Sequence, residues 1–483
     1  MIPIGAFEPS RSVFNTGSST YVLNARPKAD GWGPMPSLVA YSDALPAECL
    51  GAVEIRDATG GVTQFAGTRT ALYRLDQTTL AWEDVTRTSG GAYDVPQEDN
   101  WSFCRYGNYL AAVNINDEPQ LFNLDGGTEF ADMGGSPPKA KYCWLAGDFF
   151  VLGHLADLPE RIQWSGLNDI EHWTVGEKGS DFQTFPDGNE VQGGISDRLG
   201  AFVIQRDAIR YMQFDSGSNY TFTFQPANPT RGAAAPLSIV QVGPQDFVYL
   251  SEDGFFRGAA GTPIGAEVID DWFLGTEVNV DDISIVQGVA DPYEKIVWWS
   301  YTAATGERRL IGYDWQLSRW CWSDLACGHL MSALSPSVTW DGLDEIYATI
   351  SDVTEPFDSR LFKGGRPAFS AFDSDRRLAS FTGPALEATA ETATVELVQG
   401  SRAFVNGVRC VTTAPTFTIA AGITPTHNTA VTWKDAYAPS SATGLVPARA
   451  NGRLHRFRVS IPAGTAWTHL HGVDPVVRTG GNR

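Results

Sequence analysis

The sequence predicts an all-β protein: a β-propeller of about seven four-stranded blades, with an extended N-terminal arm and a C-terminal β-sandwich. Three observations predict it. Short β-branched and aromatic runs recur at regular spacing, segments of helical period are nearly absent, and composition and charge change together near residue 376.

The arm, residues 1–45, is rich in Pro, Ser, Gly and Asn, and Pro27, Pro34 and Pro36 oppose regular helix. The repeats fill residues 46–375. Their second strands read Gln64–Gly67, Tyr109–Val113, Phe149–Leu152, Phe202–Ile204, Phe247–Leu250, Ile296–Trp299 and Ile346–Ile350, the composition of buried strands. Third strands centre on Tyr73, Phe122, Trp164, Tyr211, Phe256, Tyr313 and Phe362. The gaps between these aromatics average about 48 residues, the length of one blade. Fourth-strand aromatics keep the same beat at Trp82, Phe130, Trp173, Phe224, Trp272, Trp322 and Phe372. Blade faces diverge with radius, so large flat side chains fill the outer gaps. A tandem β-sandwich is the alternative, and it predicts less regular spacing. Gly265–Leu274 is the one helical interruption, an amphipathic turn or two. Residues 376–483 are Thr/Ala-rich with alternating strands at 393–398, 416–419 and 454–459, the pattern of a small sandwich.

The 483 residues are 43% apolar and 12% aromatic, enough to bury a large core and too apolar for a disordered chain. The net charge of −21 is uneven: Leu378–Arg483 holds five acids and nine bases, a net of +4, which leaves −25 for the rest. So acidic a body repels nucleic acid rather than gripping it. Met1–Gly5 carries no basic leader and no apolar run reaches a membrane span, so the expectation is a soluble chain that neither takes a classical export route nor inserts in a membrane. Six scattered cysteines without a C-x-x-C pair are expected to be buried free thiols in a reducing compartment.

Phosphate-binding glycine loops, a G-x-S-x-G elbow and the H-E-x-x-H zinc pattern are absent. Ser251–Phe255 is a single, incomplete likeness to the repeated boxes of sialidases, and no carboxylate pair stands out. The expectation is a non-enzyme with no catalytic residues, no cofactor and no metal. His455, His469 and His471 are read as surface or interface histidines of the last hairpin rather than ligands. Arg449, Arg453, Arg456 and Arg458 form a basic run; Arg453, Arg456 and Arg458 are the candidates for contact with another subunit or partner. Glu267, Asp270, Asp271, Glu277, Asp281 and Asp282 are the candidates for channel-facing or interface acids.

Four stretches in order carry a resemblance: Arg161–Trp173, with an R-I-x-W-S strand leading through an Asn/Asp turn to Trp; Phe202–Tyr211; the Pro263–Gly265 segment with its acidic helix; and Arg309–Asp314 running to Trp320 and Trp322. With the strand Arg453–Val459, they resemble the tail hub or nozzle (packaged-DNA stabilisation) proteins of short-tailed bacteriophages, over roughly residues 140–325 and the final hairpin. The resemblance implies a virion protein made in the host cytoplasm and assembled with itself as a hexameric tail ring. Its partners would be the portal and adaptor rings and tail fibre, spike or needle proteins, with double-stranded DNA passing through its channel at genome ejection. A carbohydrate-binding or carbohydrate-processing propeller is the alternative, and a cytoplasmic protein-interaction propeller is a third reading.

Overall fold

A computed structural model describes all residues except 15–16, 57–61, 216, 218–219, 335–348, 350–366 and 480–483. Among the described residues, seven four-stranded antiparallel sheets follow one another around a ring. Written from axis to rim, blade 1 is Ala52–Arg56, Val62–Gly67, Leu72–Leu75 and Trp82–Asp84, and blade 2 is Ser102–Tyr106, Tyr109–Val113, Gln120–Asn123 and Ala131–Asp132. Blade 3 is Ala140–Ala146, Phe149–Leu155, Arg161–Trp164 and Asp181–Thr184; blade 4 is Val191–Asp197, Gly200–Gln205, Ile209–Phe214 and Phe222–Asn228. Blade 5 is Val240–Gly243, Asp246–Ser251, Gly254–Arg257 and Thr262–Pro263; blade 6 is Gln287–Asp291, Ile296–Thr302, Arg308–Asp314 and Arg319–Ser323. Blade 7 combines Leu330–Leu334, Pro367–Phe372 and Arg377–Ser380 with Val39–Ala44. The fold is a seven-bladed β-propeller.

Local sequence sets these hairpins. Gly107-Asn108 and Gly147-Asp148 join first to second strands in blades 2 and 3, the glycines supplying the positive φ (57° and 58°) that a two-residue turn needs at its first position. Third-to-fourth turns are held by Asx side chains: Asp76 Oδ1 accepts from the N–H groups of Thr78 and Thr79 (2.6 and 3.0 Å), and Asp314 Oδ1 from those of Gln316 and Leu317 (2.9 and 2.8 Å).

The apolar core is divided among the gaps between blades. One layer packs Trp144, Val151, Trp164, Val203, Met212 and Phe222 between blades 3 and 4; another packs Ile204, Phe247, Tyr249 and Phe256 between blades 4 and 5. Indoles lie flat on glycines in these layers, Trp144 on Gly153 and Gly194, Trp298 on Gly312, because only a residue without Cβ leaves room for the ring.

Ring closure uses the arm. Val39–Ala44 pairs antiparallel with Arg377–Ser380, Leu378 N–H donates to Ser42 Oγ (2.8 Å), and the ring ends on a sheet that holds both chain ends of the propeller. Val39–Ala44 falls within the expected arm, and Arg377–Ser380 within the expected sandwich. The rest of the arm is not free either. Ile2–Pro3 and Trp32–Pro34 pair with Leu470–Thr479, and Ala25–Pro27 pairs with Trp32–Pro34.

The C-terminal region forms two sheets. One is Ala450–Gly452, Ala403–Thr412 and Leu470–Thr479 with the arm strands; the other is Ala388–Glu391, Leu454–Ile461, Thr418–Thr424 and Thr432–Trp433. Val22–Leu23 lies between the second sheet and blade 6: Leu23 is opposite Thr389 on one side and Trp322 on the other, so blade 6 and the sandwich share one continuous sheet. Asn24, buried and left-handed (φ 56°), fixes the crossing. Its Nδ2 donates to Asp324 Oδ1 (2.8 Å) and the Glu387 carbonyl (2.9 Å), and its Oδ1 accepts from Ser323 Oγ (2.6 Å).

Six of the expected second strands stand where the sequence places them; Ile346–Ile350 and Phe362 include positions outside the described residues. Four rim aromatics differ. Phe130 and Trp173 precede their outer strands, Phe372 ends the second strand of blade 7, and Trp272 lies in a helical segment, Asp270–Trp272 running into Phe273–Glu277, while Thr262–Pro263 edges blade 5. Among the described residues no helix is long and apolar enough to cross a membrane.

A Cβ built on Gly194 overlaps the Trp144 indole, whereas one on Gly275 meets nothing within 4 Å. Gly194→Ala is therefore expected to cost about 1–3 kcal/mol by overpacking, and Gly275→Ala to be close to neutral. Chemical denaturation followed by Trp fluorescence checks both.

Candidate functional site

The first strands of all seven blades line a central cavity of about 600 Å³, reaching from Ala52–Glu54 and Ser102–Cys104 round to Gln287–Val289 and His329–Ser332. Its polar wall is mostly uncharged: Ser102, Gln192, Gln241, Gln287 and Ser332, with Glu54 as a carboxylate among the lining residues. Glu54 accepts from Gln64 Nε2 (2.8 Å).

His329 joins three blades at this wall. Its Nε2 accepts from the Ala52 N–H (3.2 Å) and faces the Gln287 amide nitrogen (3.0 Å). Gln287 in turn donates to the Leu330 carbonyl (2.8 Å) and accepts its N–H (3.0 Å). Two donors at Nε2 require the neutral ring, and burial, with Arg308 nearby, depresses its pKa to about 3.

A second cavity of about 490 Å³ opens beside the central one, between Lys141, His154, Glu190, Arg206 and Glu252 and the segment that carries Leu274, Val280 and Asp281. Its charges are paired across blades. Arg206 meets Glu252 of blade 5 (2.9 Å) and Glu190 (3.3 Å), and Lys141 meets Asp99 beside blade 2 (2.5 Å). Such half-exposed pairs orient loops more than they stabilise them.

The six candidate acids do not share one face. Glu267 and Asp271 are exposed, and Asp281 is exposed on the second cavity. Asp282 accepts from Asn279 Nδ2 (3.0 Å). Glu277 is tied to Arg309 (2.8 Å) and accepts from the Tyr301 hydroxyl (2.8 Å), so it is committed to the fold. Asp270 is buried at 7% exposure in a cradle that a Cβ on Gly254 or Gly265 would fill, and it accepts from the Phe255 N–H (3.2 Å). Burial raises its pKa to about 7; Asp253 and Asp271 push the same way and the Phe255 bond opposes them.

The candidate arginines also divide. Arg456, 8% exposed, and Arg458 both grip the buried Glu391 (2.6 Å each); Arg456 also donates to Thr20 Oγ1 (2.6 Å), and Arg458 lies 4.2 Å over the Trp433 ring. Arg456 therefore has no surface to offer a partner. Arg453 is exposed and meets Glu396 at 3.5 Å. Sequence reading missed Glu391, which stands opposite Arg458 on the neighbouring strand, 67 residues away in the chain.

His455 is enclosed in the sandwich beside the carbonyls of Ala403 and Ala450, its pKa depressed to about 4 by burial, while His469 and His471 stack on the other sheet with ring centres 5.6 Å apart. All six cysteines are free thiols, four buried and two half-buried. Among the described residues no group of three or more His, Cys, Asp or Glu is placed to hold a metal ion.

Two pH dependences follow, of opposite sign. His329 titrates near 6.5 when unfolded and near 3 when folded, so across that window the unfolded chain binds the extra proton and stability falls as pH drops. His329→Gln is expected to flatten this decline, read as urea midpoints from pH 7 to 4.5. For Asp270 the folded pKa lies above the unfolded one, so its contribution is lost as pH rises through about 7. Asp270→Asn is expected to melt higher than the parent by a margin that is larger at pH 8 than at pH 5, by calorimetry.

No protein-family model matches the chain, and no curated protein sequence matches it. Among solved structures it is similar to BamB from Moraxella catarrhalis, at 10% identity and a TM-score of 0.37 over 74% of this chain and 93% of that one. It is also similar to the computationally designed Ika8 protein, at 9% identity and a TM-score of 0.39 over 75% and 98% of the two chains. A third is YCF48 bound to a D1 peptide, at 12% identity and a TM-score of 0.33 over 62% and 91%.

Proposed function

We propose that this protein is a structural component of a short-tailed phage virion, an oligomeric tail hub or nozzle around the DNA exit channel that retains packaged DNA and anchors other tail components for ejection. The observation that carries the reading is the joining of a strongly acidic propeller to a mildly basic sandwich by a threaded arm. Residues 1–377 carry a net −25 and the remainder +4. Bodies of this charge placed side by side around a channel repel phosphate, so a duplex slides without being trapped through counterion release. The threaded arm suits a part that carries load, because the propeller and the sandwich move as one where they share the blade 6 sheet.

The ordered stretches that resemble tail hub proteins fall on blade 3 (Arg161–Trp173), blade 4 (Phe202–Tyr211), the outer edge of blade 5 and blade 6 (Arg309–Trp322). In this role the partners are other copies of the chain, the portal and adaptor rings, and fibre, spike or needle proteins, with DNA in transient passage.

Antibody labelling of purified particles in the electron microscope tests the reading. Label is expected on the tail axis, and particles assembled without the protein should lose packaged DNA. Label off the axis, or particles free of the protein that keep their genome, overturn it. The carbohydrate-binding reading has one observation in its favour, the neutral amide and hydroxyl wall of the central cavity. It requires glycan retention that is lost on Gln241→Ala.

A further inference from the structure

We propose that copies of this chain join head to tail, the turn face of blades 3 and 4 of one copy seating the outer sheet of the sandwich of the next. The inference rests on the ring-forming reading above and names the surfaces that form the ring.

In an antiparallel four-stranded blade, the first-to-second and third-to-fourth turns emerge on the same rim. On that rim of blades 3 and 4, apolar side chains stand in solvent: Leu199 is 63% exposed, Tyr220 72%, Val175 48%, Leu167 44% and Phe214 39%. The turns that carry them touch. Phe214 N–H donates to the Leu199 carbonyl (3.2 Å), and its ring lies 5.5 Å from that of Phe149 in blade 3. Thr221 Oγ1 donates to the Gly179 carbonyl (2.8 Å) across the two blades, and Leu167 N–H donates to the Lys178 carbonyl (3.0 Å). Apolar residues scattered singly need no explanation, but a contiguous set does. The exposed carboxylates on these turns are Asp148, Glu177 and Asp215, against Arg198 and a Lys178 already paired with Asp169 (2.7 Å). The surface is apolar with an acidic edge, so it fits a partner that is apolar and basic.

This chain carries such a surface. In the sandwich sheet built on Ala403–Thr412 and Leu470–Thr479, the register places Phe404 opposite Arg478, Gly407 opposite Val476 and Arg409 opposite Asp474. Val411 and Val476 are each 37% exposed, and Arg409 and Arg478 are exposed. Two acids stand on this face: Asp474, met by the amino group of Met1 (3.5 Å), and Asp30, beside Val411 and met by His471 (3.4 Å). This face takes the role that the sequence assigned to Arg456 and Arg458, which Glu391 holds internally.

One molecule cannot satisfy both faces itself. The sandwich is joined to blade 6, and blades 3 and 4 stand three and two places away in a ring of seven. Contact between two unlike faces is heterologous, so it propagates from copy to copy and gives a ring where the rotation between copies closes. Opposite charges at the edges orient the encounter, and the apolar centres hold it.

Complementation between two variants of the full chain tests this. Leu199→Asp spoils the blade face at an exposed turn tip, and Arg409→Glu spoils the sandwich face; each should melt as the parent does. By native mass spectrometry and light scattering at micromolar concentration, the parent is expected to assemble, and each variant alone to need about tenfold or more higher concentration. An equimolar mixture should form dimers, because one good blade face then meets one good sandwich face. A mixture that stays monomeric, or a parent chain that stays monomeric, overturns the pairing. Parent-like assembly by either variant alone overturns it too, yet leaves the hub reading standing, since a ring then forms through other surfaces. Complementation by a protein absent from virions supports the pairing and overturns the hub reading.

Discussion

Closure is the constraint on which the other features depend. A blade has two apolar faces, and a row of blades leaves one bare at each end unless the ring shuts. Here the last gap is sealed by Leu45, Cys49, Met331, Phe372 and Leu378 between blades 7 and 1, and the seam is stitched by Val39–Ala44 on Arg377–Ser380. That strand pairing spans 336 residues at the Leu378–Ser42 bond. It joins the first and last blades of the ring directly. The His329–Gln287–Ala52 contacts do the same at the axis, where blades 6, 7 and 1 meet.

What was legible in the sequence follows from burial. A second strand lies between two neighbours in its own sheet and is covered by adjacent blades on both faces, so it carries an apolar run, as in Phe149–Leu152 and Ile296–Trp299. Such runs give the repeat away. Three outer strands are short and mostly exposed: Trp82–Asp84, Ala131–Asp132 and Thr262–Pro263 carry no pattern that separates them from loops. The composite blade was invisible for a related reason. Val39–Ala44 is mostly exposed or half-buried, and its partner is encoded at the far end of the propeller.

Side-chain roles were less legible than strands, because charge in a sequence does not say what faces it. Arg456 and Arg458 look like a solvated pair on one strand face, yet a buried carboxylate from a distant strand neutralises both. Removing either partner of such a group strands a charge, which makes the cluster a lock between the arm residue Thr20 and the sandwich rather than a docking point. The acids of 267–282 divide the same way. Glu277 answers Arg309, Asp270 is desolvated among glycines, and Glu267, Asp271 and Asp281 keep their water.

Rigid joining and directional assembly are linked. If the sandwich swung freely on blade 6, a head-to-tail contact would fix no angle between successive copies, and closed rings would compete with open chains. The arm removes that freedom. Val22–Leu23 is bonded to both bodies, Asn24 clamps blade 6 to Glu387, and Trp32, wholly buried, donates to the carbonyls of Ile4 and Gly5 while Arg319 of blade 6 lies 4.7 Å over its ring. The turn face of blades 3 and 4 and the outer sandwich sheet are thereby held at one fixed relative orientation within each copy. In the proposed ring, the angle between copies, and with it the number that closes it, is then set by the fold of the single chain rather than by the strength of the contact.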